Sequence, residues 1–539
     1  MSLSRNRARM FVSGAAIAML AGSVMAAPAP DARAAQRIKA HIAFLADDLL
    51  QGRETGTPGF DIAAAYVASQ LAQIGVKPGA ADGSYFQQVP MSGFRSADEG
   101  KLLLTPKGGA ATPLVFGEDY VPGRNPLSPT THVSAPLVFV GYGVVGGDRD
   151  DYAGLDVKGK IVVALAGAPA SLQTEERAYY ASGRTKRLAA EARGAAGFMS
   201  INTPADEVRR PFDGAVRSWK SWGVTWRDGA GKPFSPAGST PDLASISVKG
   251  AQKIFAGAPQ SFADVVKAAE AGTPPRLVLP ASLDATLNTE LKSVQSANVV
   301  GLIPGSDPKL KNEVIVLSAH LDHVGITSPV KGDSINNGAM DNASGVATTL
   351  EVARAFAEGK RPRRTLMFLL NTGEEKGLVG ADYFARNPPT SWPIVANVNL
   401  DMPVLTYDFT DVVAFGAERS TLGPAVQRAA ARSGVKLSAD PMPQEGLFTR
   451  SDHFRFVEQG VPSVFLMTGF ANGGEAAFTT FLRDHYHKPS DDLSQPIDYA
   501  AGAKFAAINY EITRELADAD KAPTWNKGDF FGTLFGKKR

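Results

Sequence analysis

The chain contains no cysteine. That absence excludes disulfide scaffolds, thiolate metal sites and cysteine nucleophiles together, so any metal must rest on His, Asp and Glu. An excess of one charge is lacking as well. The 56 basic residues face 54 acidic ones, for a net charge of +2, and a dedicated nucleic-acid binder is not expected without a basic surplus. After residue 26 no stretch reaches the about 20 consecutive apolar residues that a membrane span requires. Neither a His-Glu-x-x-His zinc helix nor a Gly-x-Ser-x-Gly elbow occurs, so those hydrolase templates lack their ligands or nucleophile. Histidine is scarce too: of seven, five lie after residue 319.

What is present is an ordinary globular composition. Of 539 residues, 44% are hydrophobic and 20% charged, enough for two to four domains with real cores. Residues 1–26 read as a secretory signal. Arg5, Arg7 and Arg9 form the basic start, Phe11 to Gly22 the apolar run, and Val24-Met25-Ala26 the small-residue cleavage site. No adjacent Arg pair marks a twin-arginine export signal there, and no Cys offers a lipid attachment point. The expectation is a secreted or periplasmic protein with no stable membrane anchor after cleavage.

Helical periodicity runs through Arg37–Leu50 and Gly59–Ile74, separated by the turn-rich Gly52-Arg-Glu-Thr-Gly-Thr-Pro-Gly59. From about 133 to 285 the texture becomes β-rich, with strands expected at Ala135–Gly141, Lys160–Ala166 and Gly197–Ile201 and a helix at Leu188–Ala195. Pro, Gly and Asp are dense over 203–243, where Trp219, Trp222 and Trp226 read as loop packing. Gly141-Tyr-Gly-Val-Val-Gly146 fits a dinucleotide fingerprint, but Asp148, Asp150 and Asp151 follow it where a phosphate-binding helix should open.

From Asn298 onward strand and helix alternate. Strands are expected at Val314–Ser318, Thr365–Leu370, Val395–Leu400 and Ser463–Met467, with helices at Gly345–Glu358, Leu378–Arg386, Leu422–Ser433 and Ala500–Ala517. Such alternation argues an α/β domain with a largely parallel central sheet, whose ligand site sits beyond the C-terminal strand ends. The polar residues fall there. One strand runs into His320-Leu-Asp322-His323, the next into Glu374-Glu375 and the third into Asp401. Asp341 precedes a helix in Met-Asp-Asn-Ala-Ser-Gly, and His485-Tyr-His487-Lys-Pro comes late. Carboxylates converging on one crevice repel one another, and bound cations remove the conflict. Two His with three or four carboxylates exceed one tetrahedral zinc and suit a pair of metals sharing a bridging carboxylate.

These motifs, in this order, resemble the M28 family of di-zinc aminopeptidases. The resemblance implies a three-layer α/β/α zinc-peptidase domain with an inserted β-rich protease-associated domain. It implies a division into signal 1–26, N-terminal part of the peptidase domain 27–132, insert 133–285, catalytic domain 286–523 and C-terminal tail 524–539. It implies two zinc ions: His320 on one, His487 on the other, Asp341 bridging, and Glu375 and Asp401 completing one shell each. Glu374 would be the general base, taking a proton from water and passing it to the leaving amine. Asp322 would accept a hydrogen bond from the free nitrogen of His320. His323 is second-layer or structural, and His485 lies outside the site. The segment Ser451-Asp452-His453 resembles one that shapes the substrate pocket, with His453, Arg450 and Phe448 as candidate pocket residues. Phe448 stands where some relatives have a Tyr. The implied substrates are peptides with a free N-terminus, and no nucleic acid. A carboxypeptidase or a glutaminyl cyclase is the alternative. A binding protein that kept only the fold would require a missing ligand, and none is missing.

Overall fold

The computed structural model describes residues 31–536. The expected signal at 1–26 lies outside the described residues. Among the described residues ten strands form the larger sheet: nine follow in the spatial order 223–226, 86–96, 277–303, 365–371, 314–320, 394–400, 463–468, 411–415 and 436–438, and the short Lys77–Pro78 pairs with Gly301 and Leu302 of 277–303. The four central strands, Thr365–Asn371, Val314–His320, Ile394–Leu400 and Ser463–Thr468, run parallel. Antiparallel neighbours flank them on both sides.

Both faces of the central strands are covered, which is why Val314–His320 and Thr365–Asn371 are buried at every position and mostly apolar rather than alternating with exposed polar residues. Ile315, Leu317 and Ala319 join the larger core under the helices Ala32–Leu45, Pro58–Gln73, Ser344–Glu358, Leu422–Arg432 and Tyr499–Asp518. Val314 and Val316, one residue out of phase, join a separate core with Phe384 and Phe456 under the helices Val379–Arg386 and His453–Val457. The two-residue period of a strand therefore builds the three layers. Three of these helices start on side-chain caps, and in Pro58–Gln73 the cap is Thr57. Asp31 accepts from the amide of Arg33, and Asp498 from those of Ala500 and Ala501.

A second sheet, with its own core around Leu137, Phe139, Val163, Leu243 and Ile246, collects the strands Lys101–Pro106, Thr112–Pro113, Tyr120–Pro122, Thr130–Phe139, Ile161–Leu165, Gly197–Ile201 and Asp242–Ile246. Leu102, Leu104, Leu114 and Tyr120 belong to that core, so it begins well upstream of residue 133. Short alternating strands and turns are legible in the sequence from 101 to 140, but not which sheet they join: Lys101–Pro106 lies between Thr112–Pro113 and Leu277–Ile303. The insert's other expected end, at 285, falls inside a single 27-residue strand, Leu277–Ile303. The first half of that strand pairs with Thr130–Phe139 and Lys101–Pro106, the second half with Phe86–Ser96 and then Thr365–Asn371. Val145–Gly146 pairs with Arg149–Asp150 as a small hairpin and opens no helix, so the glycine fingerprint has no phosphate-binding context. Trp226 is buried, stacked on Phe234 at 4.2 Å, with Nε1 donating to Asp382 at 2.7 Å. Trp222 lies under Arg95 and Lys292.

Candidate metal centre

Register explains why distant residues meet. His320 pairs with Asn371 across one ladder, and Ser318 pairs with Asn399 across the next. The strand ends leading to His320, Glu374 and Asp401 therefore finish side by side. Asp341 and His487 reach the same point from loops. Gly338 helps by its lack of a side chain: its φ is +62°, and a Cβ there would fall 2.7 Å from the His323 ring.

Two groups result, and both use Asp341. In the first, His320 Nε2 lies 3.2 Å from Asp341 Oδ1 and 3.0 Å from Asp401 Oδ1. In the second, His487 Nε2 lies 3.3 Å from Asp341 Oδ2 and 3.2 Å from Glu375 Oε2. His323 also enters the second group, its Nδ1 2.8 Å from Glu375 Oε1 and 3.8 Å from Asp341 Oδ2. The ligand atoms of His320, Asp341 and Asp401 lie within 4.8 Å of one another, as do those of His323, Asp341 and Glu375. All five residues of these two trios are buried or nearly so, whereas His487 is about a third exposed.

The electrostatics fit cations. Burial alone would push the His487 imidazole down, yet hydrogen bonds to Asp341 and Glu375 lift it to about 10. His320 likewise rises against its burial, through Asp401 and Asp341. Burial alone would raise Glu375, but His323 and His487 bring it down to about 2. The raised imidazoles measure how negative the crevice is, and a divalent ion would meet the same potential. His323 Nε2 is a buried polar atom without a protein partner. A donor set of imidazole and carboxylate, with one carboxylate common to two groups, suits a pair of zinc ions.

Glu374 stands apart. Its side chain is partly buried and has no hydrogen-bond or ion-pair partner among the described residues. Burial raises its pKa well above the usual range, and Glu375, Asp401 and Asp452 add to this against the pull of His320.

Asp322 is placed differently from expectation. The Nδ1 of His320 meets the backbone carbonyl of Asp322 at 3.0 Å, not its carboxylate. The carboxylate instead accepts the amides of Glu374 (3.1 Å) and Glu375 (3.3 Å) and the hydroxyl of Thr55 (3.0 Å). The side chain at the second residue past a strand end has swung toward the neighbouring strand's loop, whose two free amides draw a carboxylate.

The pocket candidates also move. Phe448 and His453 are completely buried. Phe448 packs on His453, Phe454 and Phe531, and desolvation pushes His453 down to about 3. Arg450 is exposed, 3.5 Å from Glu445. Phe448 and His453 therefore offer no surface to a substrate. Their segment works behind the ligands: Ser451 Oγ donates to Asp401 Oδ2 at 2.6 Å, and Asp452 Oδ2 accepts from Asn371 at 2.8 Å. Burial raises Asp452 to about 7. His485 hydrogen-bonds the Ser490 carbonyl and stays outside both groups.

Sequence reasoning missed several neighbours. Tyr486 stacks on His487 at 3.9 Å. Asp491 accepts the amides of Met340 and Asp341. Arg53 lies fully buried beneath the site, where burial lowers it to about 10 against the pull of Asp491, Asp341, Asp322 and Glu375. Tyr486 and Asp491 sit within four residues of His487, which was the only signal available for them.

Residues 298–513 match the sequence profile of peptidase family M28, and the sheet and its helices have that family's fold. This part of the chain belongs to peptidase family M28, a family of zinc peptidases. An aminopeptidase from Aneurinibacillus sp. strain AM-1 has a similar fold: 21% identity, a TM-score of 0.50, and coverage of 90% of this chain and 95% of that one. A probable zinc metalloprotease of Pyricularia oryzae is 27% identical over 291 residues, 47% of this chain and 56% of that protein. A vacuolar membrane protease of Lachancea thermotolerans is 37% identical over 99 residues, 18% of this chain and 9% of that protein. The match thus spans about half the length of the first curated relative and about a tenth of the second. Among the described residues no helix is long and apolar enough to cross a membrane.

Proposed function

We propose that the chain is an exported metalloaminopeptidase that hydrolyses the N-terminal peptide bond of peptides. The observation that carries this reading is the shared carboxylate. Asp341 offers one oxygen to each of two ligand groups, and the unpaired Glu374 stands beside both. His320, Asp341 and Asp401 would hold one zinc, and Asp341, Glu375 and His487 the other. Bound zinc would supply Lewis acidity to the scissile carbonyl and acidify a water molecule. His323, with Nδ1 on Glu375, would fix that carboxylate's orientation rather than ligate.

Glu374 has the right character for the proton work. A carboxylate without protein partners, its pKa raised by burial and by neighbouring acids, holds a proton more readily than an ordinary carboxylate does. It would take one from the attacking water and return it to the departing amine. A free substrate α-amine would be drawn to the acidic crevice, which favours cleavage from the N-terminus. The second sheet would be the protease-associated unit, and export would follow from the signal at 1–26.

A panel of aminoacyl-nitroanilides tests the reading, offered to metal-stripped and zinc-reloaded protein. The expected result is zinc-dependent release that an N-acetyl block abolishes. Cleavage of N-blocked peptides from the carboxyl end, or cyclisation of N-terminal Gln, would overturn it in favour of a related zinc enzyme.

A further inference from the structure

The loop joining the first two helices reaches under the metal centre. Arg53 is 1% exposed and forms no ion pair among the described residues. Its guanidinium donates instead to four backbone carbonyls: Nε to Leu321 at 3.0 Å, Nη1 to Leu45 and Asn337, and Nη2 to Gly338 at 3.1 Å. Leu321 lies between His320 and Asp322, and Asn337 and Gly338 lead into Asp341. Gly52 makes the approach possible. Its φ is +71°, and a Cβ would fall 2.5 Å from the Asn336 carbonyl.

The same segment is gripped from its other side. Asp491 accepts the amides of Met340 (2.9 Å) and Asp341 (3.0 Å) on its carboxylate, and that of Ala339 (3.0 Å) on its carbonyl. A cation therefore holds the carbonyls of residues 337–338 while an anion holds the amides of 340–341. A buried arginine without a carboxylate partner is costly, so its retention against plain peptide carbonyls calls for a return elsewhere.

We propose that Arg53 is a positioning residue for the metal centre: it ties the end of the His320 strand to the segment carrying Asp341, so that the two ligand groups keep their spacing. The inference rests on the metallopeptidase reading. Lysine could not replace it, because a compact ammonium cannot serve four acceptors set around a planar fork.

The test is zinc titration calorimetry on the metal-stripped full chain, with amide hydrogen exchange followed over residues 337–341. Measurements are made at a temperature where circular dichroism shows each variant folded. The wild type should bind two zinc ions. Arg53→Met should bind at least one of them tenfold or more weakly. Its exchange should quicken over 337–341 and stay unchanged in the distant 161–165 strand. Arg53→Lys should fall between. A folded Arg53→Met with lower thermal stability but unaltered zinc affinities and exchange would overturn the proposal, because a merely structural arginine predicts that outcome. Should Arg53→Met not fold, Asp491→Asn takes its place, and wild-type zinc affinity there would overturn it equally. A wild type that binds no zinc would sink the metallopeptidase reading itself, a result visible before any variant is made.

Discussion

Substituting Asp322 by Asn separates two accounts of how this residue works. If it acted through the His320 imidazole, the loss would follow the metal. The structure instead puts its carboxylate on the amides of Glu374 and Glu375, at 3.1 and 3.3 Å. Asn keeps the shape but offers one oxygen, so its NH2 group confronts the second amide. A hydrogen bond to a charged acceptor is worth about 1.5–3 kcal/mol, and a buried unpaired donor costs a similar amount. A net loss of about 2–3 kcal/mol in holding the Glu pair corresponds to roughly 30- to 150-fold in kcat. The assay is a double-mutant cycle on zinc-loaded enzyme, with kcat measured for wild type, Asp322→Asn, Glu374→Gln and the pair. With Glu374 already disabled, Asp322→Asn should cost only a few-fold. Full additivity, with Asp322→Asn as damaging in the Glu374→Gln background as alone, would refute the argument and return Asp322 to the histidine.

Three further outcomes follow from the same geometry. Glu374→Gln alone should lower kcat by about 10²- to 10⁴-fold while calorimetry still finds two zinc ions; a matching loss of zinc would make Glu374 a ligand instead. Phe531→Ala, at a wholly buried ring packed on Phe448 and Phe454, should destabilise by about 3–5 kcal/mol in urea unfolding, and a change under 1 kcal/mol would mean the C-terminal helix does not dock in solution. Burial, with the charges of Arg354 and Arg37, lowers His41 to about 4 from 6.5. The unfolded chain thus binds the proton first as pH falls, and stability present above pH 6.5 is lost down to pH 4, by up to about 3 kcal/mol. In metal-stripped protein His41→Gln should flatten that decline, and an unchanged pH profile would contradict it.

Much of the peptidase half was legible because its strands carry their own signal. Runs such as Val314–Ala319 and Thr365–Leu370 are buried on both faces, the first passing directly into His320 and the second, three residues on, into Glu374, so element and site residue are marked together. The observed strands, Val314–His320 and Thr365–Asn371, differ by a residue or two at their ends. The β-rich half was harder to bound. Lys101–Pro106 alternates exposed and buried positions over only six residues, and nothing local reveals which sheet it joins. Leu277–Ile303 passes through the expected boundary as one strand, and Asp284 and Asn288 beside it make no turn. Side-chain direction was the other loss. His-x-Asp spacing does not say whether a carboxylate or a carbonyl meets the imidazole, and Phe448 gives no hint that a helix some 80 residues later will cover it. Arg53 was visible as a residue but not as a function, because its four acceptors are main-chain atoms that carry no sequence signature.

The long strand has a mechanical meaning. Twenty-seven residues at about 3.3 Å each give a strand with a contour on the order of 90 Å, hydrogen-bonded along its first half to the second sheet and along its second half to the first. At this crossing the polypeptide offers no slack. A force applied to the β-rich half is delivered lengthwise into the ladder beside Thr365–Asn371, the strand whose end presents the Glu pair.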